Sequence, residues 1–151
     1  MKKLFLALIL VLSIVGAVNA QVKGKAIGLR FGNGAEVSFN TALGSAHRLE
    51  LDLGLNSFDN NRNTGFGLTG IYQWVWALDE LAPGFNWYAG VGGTVGSYKT
   101  NSLGLGVAGQ IGLEYNFAIP LQLSIDYRPA IFLNNSYGAY DDARLAIRYR
   151  F

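Results

Sequence analysis

Apolar and polar residues alternate along most of this chain, and the alternation is clearest at its C-terminal end. One set of alternate positions there is apolar: Ala143, Leu145, Ile147, Tyr149 and Phe151. The other set is mostly basic: Arg144, Ala146, Arg148 and Arg150. Because successive side chains of a strand point to opposite faces, this stretch predicts a β-strand with an oily face and a charged face.

Seven earlier segments show the same period of two and predict seven further strands. Their approximate bounds are 24–32, 35–42, 47–56, 65–78, 85–98, 103–117 and 121–133. The connections are short enough for antiparallel neighbours, and an even number of strands lets the two edges of the sheet meet. The chain therefore predicts an all-β fold, an eight-stranded antiparallel up-and-down transmembrane β-barrel.

Two local features sharpen this prediction. Gly34 lies between the first two segments, and a three-residue loop over 33–35 with Gly34 at positive φ would place Phe31 opposite Val37 and keep Glu36 on the polar side. A two-residue loop would shift every side chain to the other face. Pro129 removes one donor from the seventh strand, which predicts a bulge or a local irregularity there. A loop over 134–142 is predicted before the last strand.

Three observations indicate that the oily face looks outward to lipid. The lumen of an eight-stranded barrel is just wide enough for its own side chains, and the aromatic face is too bulky for it. After residue 20, lysine occurs only at positions 23, 25 and 99, whereas arginines and carboxylates fill the polar face. Arginine is suited to enclosed pairing with carboxylates. The charged residues predicted to form a polar network in the lumen are Arg30, Arg48, Glu50, Asp52, Glu114, Asp126, Arg128, Arg144, Arg148 and Arg150.

Aromatic placement is the third observation. If the N-terminal end of the first strand faces the periplasm, one aromatic girdle falls at the periplasmic rim: Trp74, Trp76, Phe85, Trp87, Tyr115, Phe117, Tyr149 and Phe151. Phe31, Phe39, Phe66 and Tyr98 are predicted to lie toward the opposite rim. Two such belts are expected at the head-group levels of a membrane. A soluble periplasmic barrel with an oily cavity is the more distant alternative.

Composition and charge indicate a targeting segment at the start of the sequence. Lys2 and Lys3 precede an apolar run over 4–18, and small residues end at Ala20, so residues 1–20 are predicted to be a cleaved signal peptide and 21–151 the barrel. An uncleaved anchor is less favoured, because the run is shorter than the roughly 20 residues a spanning helix needs. Lys2 and Lys3 account for the surplus of 12 basic over 10 acidic residues, so nucleic acid is not an expected partner. The chain has no Cys.

With these strands in hand, the chain from Lys23 to Phe151 resembles the small eight-stranded outer-membrane barrels of Gram-negative bacteria, of the OmpX and OmpA-barrel type. The most specific part is the terminal pattern Leu145, Ile147, Tyr149 and Phe151. The resemblance implies that this strand is the signal read by the barrel-assembly machinery, that membrane lipids and lipopolysaccharide are partners, and that the protein resides in the outer membrane. The minimal loop over 33–35 departs from the tall strands of the OmpX type, which argues against an adhesin.

The inward charges predict a plugged lumen, because charges of both signs in so narrow a space would pair. A narrow channel is the alternative.

No catalysis, cofactor or metal is expected, and the role is taken to be structural or surface interaction. A lipid-modifying enzyme that transfers or removes acyl chains of lipid A is a further alternative, since His47 lies near Ser45. However, no carboxylate stands at a fixed spacing to orient the imidazole, which favours a solvated turn residue.

Several polar residues fall in the predicted outer loops. The acidic ones are Asp59, Asp141 and Asp142, and the aromatic ones are Tyr137 and Tyr140. Hard cations need several oxygen ligands together, and the spacing of these acids favours solvated charges. The two tyrosines could contact lipopolysaccharide or a partner, or complete the outer aromatic belt.

Overall fold

The computed structural model describes residues 22–57, 64–98, 102–133, 139–140 and 143–151. Within these ranges the chain forms ten hydrogen-bonded strands. They are β1 (Lys25–Gly32), β2 (Gly34–Ala42), β3 (His47–Ser57), β4 (Thr64–Ala77), β5 (Phe85–Tyr98), β6 (Ser102–Asn116), β7 (Leu121–Tyr127), β8 (Ala130–Phe132), β9 (Ala139–Tyr140) and β10 (Ala143–Arg150). No helix in those ranges is long and apolar enough to cross a membrane.

The ten strands close into a barrel that has eight strand positions around its circumference, because two of these positions each contain two short strands in line. Each of β1 to β6 pairs antiparallel with the next strand, β7 and β8 both pair with β6, and β10 returns to β1. Strands β7 and β8 share one position, and β9 and β10 share the next. The seam is formed by pairs such as Ala26 with Arg150 and Phe31 with Leu145. The prediction of an eight-stranded antiparallel barrel is confirmed.

The seventh position is interrupted at Pro129, as the sequence predicted. Tyr127 pairs with Ile111 and Ala130 pairs with Ala108, so two residues separate these pairs on either strand and no residue is inserted. The irregularity is therefore a break in the ladder and not a bulge. The Pro129 carbonyl still accepts a hydrogen bond of 2.9 Å from the Gly109 N–H, because only the donor of a proline is missing.

Beyond this break, the pairing between the seventh and eighth strand positions continues further than the sequence predicted. Ala139 and Tyr140 pair with Ile131 and Ala130 in the same register in which β10 pairs with β7. The predicted loop over 134–142 is therefore shorter, because two of its residues belong to strand β9. Residues 134–138 and 141–142 lie outside the described part of the chain.

The first hairpin is tighter than predicted. Phe31 pairs with Ala35 and not with Val37, which instead faces Leu29, and Gly32 pairs with Gly34. Gly34 has φ of 132°, as expected for the residue that reverses the chain. The predicted register was wrong by two residues. Since the side-chain period is also two, the assignment of faces was unaffected.

The two faces of the sheet differ sharply in burial and chemistry. Leu53 and Leu55 on the outward face are 57% and 62% exposed, whereas Arg30 and Glu50 on the inward face are 0% exposed. The chain backbones also approach closely at the seam. A Cβ added to Gly28 would lie 1.9 Å from the Ile147 carbonyl oxygen, so glycine is required there. The core of this protein is accordingly mostly polar, although Ile71, Val75 and Phe132 are also buried, and most of its large apolar residues lie outside.

Candidate functional site

The centre of the lumen is organised around the guanidinium group of Arg30. Its Nη1 donates to Glu50 Oε1 at 3.0 Å, and the same group pairs with Asp52 and Asp126. These four side chains come from β1, β3 and β7 and are completely buried. Tyr88 on β5 donates its hydroxyl to Asp126 Oδ2 at 2.9 Å. Each carboxylate thus reaches a donor across the barrel, which a single strand could not provide.

Arg148 of β10 forms a second branch of the network. Its Nη2 donates to Glu50 Oε2 at 2.8 Å, and its Nε donates to Ser38 Oγ at 2.9 Å. Nη1 donates to Ser124 Oγ at 3.0 Å and to Gln122 Oε1 at 3.3 Å. Glu50 therefore accepts from two arginines, one on each oxygen. Hydrogen bonds to charged groups are stronger than those between neutral groups, so this carboxylate is a central node.

Two further arginines lie toward the loops that join β1 to β2 and β3 to β4. Arg128 donates to Asp52 Oδ2 at 2.7 Å and to Glu36 Oε1 at 2.7 Å. Arg144 Nη1 lies 3.1 Å from the same Glu36 oxygen. The sequence placed Glu36 on the polar face but omitted it from the predicted lumen network. Its position in the β2 alternation was the signal that could have included it.

At the rim where β1 begins and β10 ends, here called the terminal rim, the network continues through Arg48. Its Nη1 donates to Glu114 Oε2 at 2.5 Å, and its guanidinium carbon lies 4.7 Å from the centre of the Tyr88 ring. Its Nε also donates to Gln73. A chain of amides leads back to the centre, since Gln73 donates to Gln110 at 2.5 Å and Gln110 donates to Glu50 at 2.9 Å.

These contacts connect both ends of the lumen in one network with balanced charge. Among the described residues it contains five buried arginines and five buried carboxylates. The arginines are Arg30, Arg48, Arg128, Arg144 and Arg148, and the carboxylates are Glu36, Glu50, Asp52, Glu114 and Asp126. Balanced pairing is the arrangement in which buried charges are tolerated.

Arg150 behaves differently from the other arginines predicted for the lumen. Its Nη2 donates to the carbonyl oxygens of Phe117 at 2.6 Å and Ile119 at 3.1 Å. These carbonyls belong to the turn between β6 and β7, at the terminal rim. Arg150 therefore fastens the end of β10 to a neighbouring turn. It lies where the barrel opens, and it forms no ion pair with a carboxylate of the described residues.

The predicted aromatic girdle is gathered at this same rim. The Trp76 and Trp87 rings stack with centres 4.1 Å apart, and the Tyr115 and Phe117 rings meet edge to face at 4.8 Å. Three further pairs have centres between 5.0 and 6.4 Å: Tyr72 with Trp74, Phe85 with Tyr115, and Tyr149 with Phe151. Offset and edge-to-face pairs of this kind add to the stability that burial provides.

One aromatic residue lies at the opposite end from the one predicted. Phe39 pairs with Ile27 and Leu51, near the start of β1 and the end of β2, so it lies closer to the terminal rim. The prediction assigned Phe39 to the other rim. Because this residue lies near the middle of its strand, a shift of one residue in the predicted bounds of the strand changes which rim is nearer. Phe31 and Phe66 do lie toward the loop rim, opposite Ala35 and Leu55.

The candidate histidine site does not assemble into a nucleophile and base. His47 begins β3 and its ring centre lies 5.7 Å from that of Tyr72, while its Nδ1 has no hydrogen-bond partner among the described residues. The Ser45 carbonyl accepts a hydrogen bond from the Val22 N–H at 2.8 Å. His47 is half-buried in the strand, so the prediction of a solvated turn residue was wrong. Asp59, Asp141, Asp142 and Tyr137 lie outside the described residues, as does the side chain of Tyr140.

Comparisons with known proteins support the fold and not a particular family. No protein-family model matches the chain, and no curated protein sequence matches it. Among solved structures it is similar to a designed transmembrane β-barrel, with a TM-score of 0.65 and 12% identity over 89% of this chain and 100% of the other. It is also similar to the N-terminal β-barrel domain of Pseudomonas aeruginosa OprF, with a TM-score of 0.63 and 14% identity over 88% of this chain and 99% of that domain.

A third similar structure is the Yersinia pestis outer membrane protein Ail in a phospholipid bilayer nanodisc. Its TM-score is 0.52, with 13% identity over 85% of this chain and 100% of Ail. All three are similar over nearly their whole length, so the barrel itself is the shared feature. The chain has the fold of a small eight-stranded transmembrane β-barrel, as its sequence pattern predicted.

Proposed function

We propose that this protein is an integral β-barrel of the Gram-negative outer membrane with a lumen closed by ion pairs, and that its role is structural or surface interaction. The observation that carries the proposal is that charged residues are buried and large apolar residues are exposed, the reverse of a soluble protein. The described part of the barrel buries ten charged side chains, five of each sign, and exposes leucine, isoleucine, valine and aromatic residues. In water this arrangement would leave a large apolar surface exposed.

The outward face supports placement in lipid along nearly its whole height. In the described strands it carries no aspartate, glutamate or arginine, and its lysine, Lys25, lies at the terminal rim. The stacked Trp76 and Trp87 rings lie at the same rim. Aromatic residues at the edge of an apolar band are typical of the membrane interface. We take the terminal rim to face the periplasm.

Location and closure are tested together by gel mobility. Outer membranes from cells that make the protein would be run on SDS gels with and without boiling. Closed membrane barrels resist SDS until heated, because all their backbone hydrogen bonds are internal. We expect a shift in mobility on boiling in the outer-membrane fraction. Recovery in the soluble periplasm without a shift would overturn the proposal and point to an oily ligand cavity.

The closed lumen is supported by the network between Arg30, Arg148 and Glu50. An ion that crossed the barrel would have to separate charges that are buried on all sides, and removing one partner of a buried pair costs about 3–5 kcal/mol. We therefore expect no stable current from the purified protein in a planar bilayer. Reproducible single-channel conductance would exclude the plug and establish a channel.

Absence of catalysis is supported by the separation of His47 from any hydrogen-bonded nucleophile in the described residues. A lipid-modifying enzyme would change the acyl chains of lipid A in cells that make it. Mass spectrometry of lipid A from cells with and without the protein is expected to give identical acyl patterns. The gain or loss of an acyl chain would identify an enzyme instead.

The proposed partners follow from location. Membrane lipids and lipopolysaccharide would contact the apolar band, and the assembly machinery would recognise Leu145, Ile147, Tyr149 and Phe151. These side chains lie outward and are 44–63% exposed. They are thus available on the face that a membrane-embedded receptor would meet. Substrates, cofactors and metals have no part in the proposal.

A further inference from the structure

A polar cavity lies at the terminal rim, where the lumen opens beside the start of β1. Its volume is about 220 Å³. It lies between the N-terminal residues 22–26 and the ends of β2, β6 and β10. Since each liquid water occupies about 30 Å³, the space would hold several waters or one small solute. The proposed function assigns no role to this cavity.

The lining of the cavity has an excess of positive charge. It includes Lys23, Lys25, Arg48 and Arg150 but only one carboxylate, that of Glu114. No carboxylate of the described residues forms a salt bridge with either lysine or with Arg150. This mouth therefore differs from the centre of the lumen, where arginines and carboxylates are equal in number.

The single carboxylate is already neutralised on both oxygens. Glu114 Oε2 accepts from Arg48 at 2.5 Å, while Oε1 accepts from Asn86 at 3.1 Å and from Asn116 at 3.3 Å. A cation entering the cavity would meet no free negative group among these residues. An anion would meet the charges of Lys23 and Arg150 and, at the edge of the rim, that of Lys25.

The lining of the cavity on the lumen side includes the ion pair of Arg48 with Glu114, and Arg48 is further held by Gln73. A solute that entered from the rim would stop there and remain near the surplus charge. Such a concave, one-ended site with a few converging polar groups is typical of small-molecule binding sites. Low-dielectric walls also focus the field of like charges into a cleft.

We propose that this cavity binds a small oxyanion, a carboxylate or a phosphate, at the terminal mouth of the barrel. The inference goes beyond the proposed function and does not depend on whether the lumen conducts. The same chemistry has two possible sources at this rim, a free anion in solution or the phosphate of an anionic lipid head group. Lys25, on the outward face, lies where a head group could reach it.

The first test uses inorganic phosphate as the probe and the purified chain in maltoside micelles, which contain no phosphate. We expect saturable binding by titration calorimetry that weakens as salt rises from low to high concentration, since salt screens exposed charges. The double variant Lys23→Gln/Lys25→Gln should weaken binding by roughly tenfold, the effect of a nearby charge at a protein surface. The charge-conserving double variant Lys23→Arg/Lys25→Arg, which changes the same two positions and keeps both positive charges, should retain the wild-type affinity.

Two results would overturn the proposal: no saturable binding by the wild-type chain, or equal affinities for the wild type and the double variant. Because a misfolded sample would also show no binding, each sample is checked for the heat-dependent gel shift.

A second experiment identifies the source of the bound anion. Phosphatidylglycerol added to the micelles should move the backbone amide NMR signals of Gly24 and Ala26 as phosphate does if a head group is the ligand. If phosphate alone moves them, the ligand is a free anion.

Discussion

Replacement of Glu50 by glutamine probes the central node of the lumen with almost no change in shape. Glu50 accepts from Arg148 at 2.8 Å, from Arg30 at 3.0 Å and from Gln110 at 2.9 Å, and it is 0% exposed. The glutamine keeps one oxygen, but its amide nitrogen must face one of the arginine donors. The network then has five positive charges and only four negative ones.

The expected loss follows from these contacts. A hydrogen bond to a charged group contributes about 1.5–3 kcal/mol, and removing one member of a buried ion pair costs about 3–5 kcal/mol. We therefore expect Glu50→Gln to lower the free energy of unfolding by about 3–5 kcal/mol. Urea titration of the refolded barrel, followed by tryptophan fluorescence, measures this quantity. Glu80→Gln in the exposed turn between β4 and β5 is the matched control and should have little effect.

Restoring charge balance provides an internal check. The double variant Glu50→Gln/Arg148→Met removes one charge of each sign, so its loss should be smaller than the sum of the two single losses by about 0.5–3 kcal/mol. If Glu50→Gln were no more destabilising than Glu80→Gln, the lumen would be hydrated and the reasoning about buried pairs would be wrong. Additive losses in the double variant would lead to the same conclusion.

Three further outcomes are expected. Gly28→Ala should prevent the heat-dependent gel shift, because its Cβ would lie 1.9 Å from the Ile147 carbonyl oxygen at the seam, whereas the nearest atom for Gly93→Ala is 3.6 Å away and that variant should assemble normally. Leu53→Arg places a charge on the lipid face in mid-strand and should cost about 2–4 kcal/mol in urea titrations in bilayers, and an unchanged midpoint would argue against membrane insertion. Phe151→Ala should reduce the amount of assembled protein in outer membranes while leaving refolding in micelles intact, and equal assembly would remove the terminal aromatic residue from the signal.

Most of the barrel could be predicted from the sequence because the period of two is a local property. Leu49 to Leu55 could be assigned to one face without knowledge of any other strand. The register of a hairpin depends instead on how the turn folds, and there the prediction placed Phe31 opposite the wrong residue of β2. Similarly, a two-residue strand such as Ala139 and Tyr140, which pairs with the residues just after Pro129, gives too short a pattern to recognise.

The lumen network could be predicted as a set of charges but not as a set of partners. Alternation placed Arg30 and Asp126 on the same inward face, yet they are 96 residues apart and meet only because the sheet closes. Arg150 satisfies the same alternation but lies at the rim, where backbone carbonyls take the place of carboxylates. The position of each residue along the barrel axis decides which arginine pairs with which acid. The sequence of a single strand does not specify that position.

The seam between β1 and β10 also constrains how the molecule can form. Every other neighbouring pair comes from adjacent parts of the chain, but β1 can complete its second row of hydrogen bonds only with residues 145–150. Until that end arrives, β1 presents an open edge of the kind that recruits other chains into aggregates. Closure joins residues at opposite ends of the chain, so it should be a slow, late event. A chain that stalls or is cut before residue 145 would remain an open sheet, so cellular quality control would have a simple feature by which to distinguish unfinished molecules from finished ones.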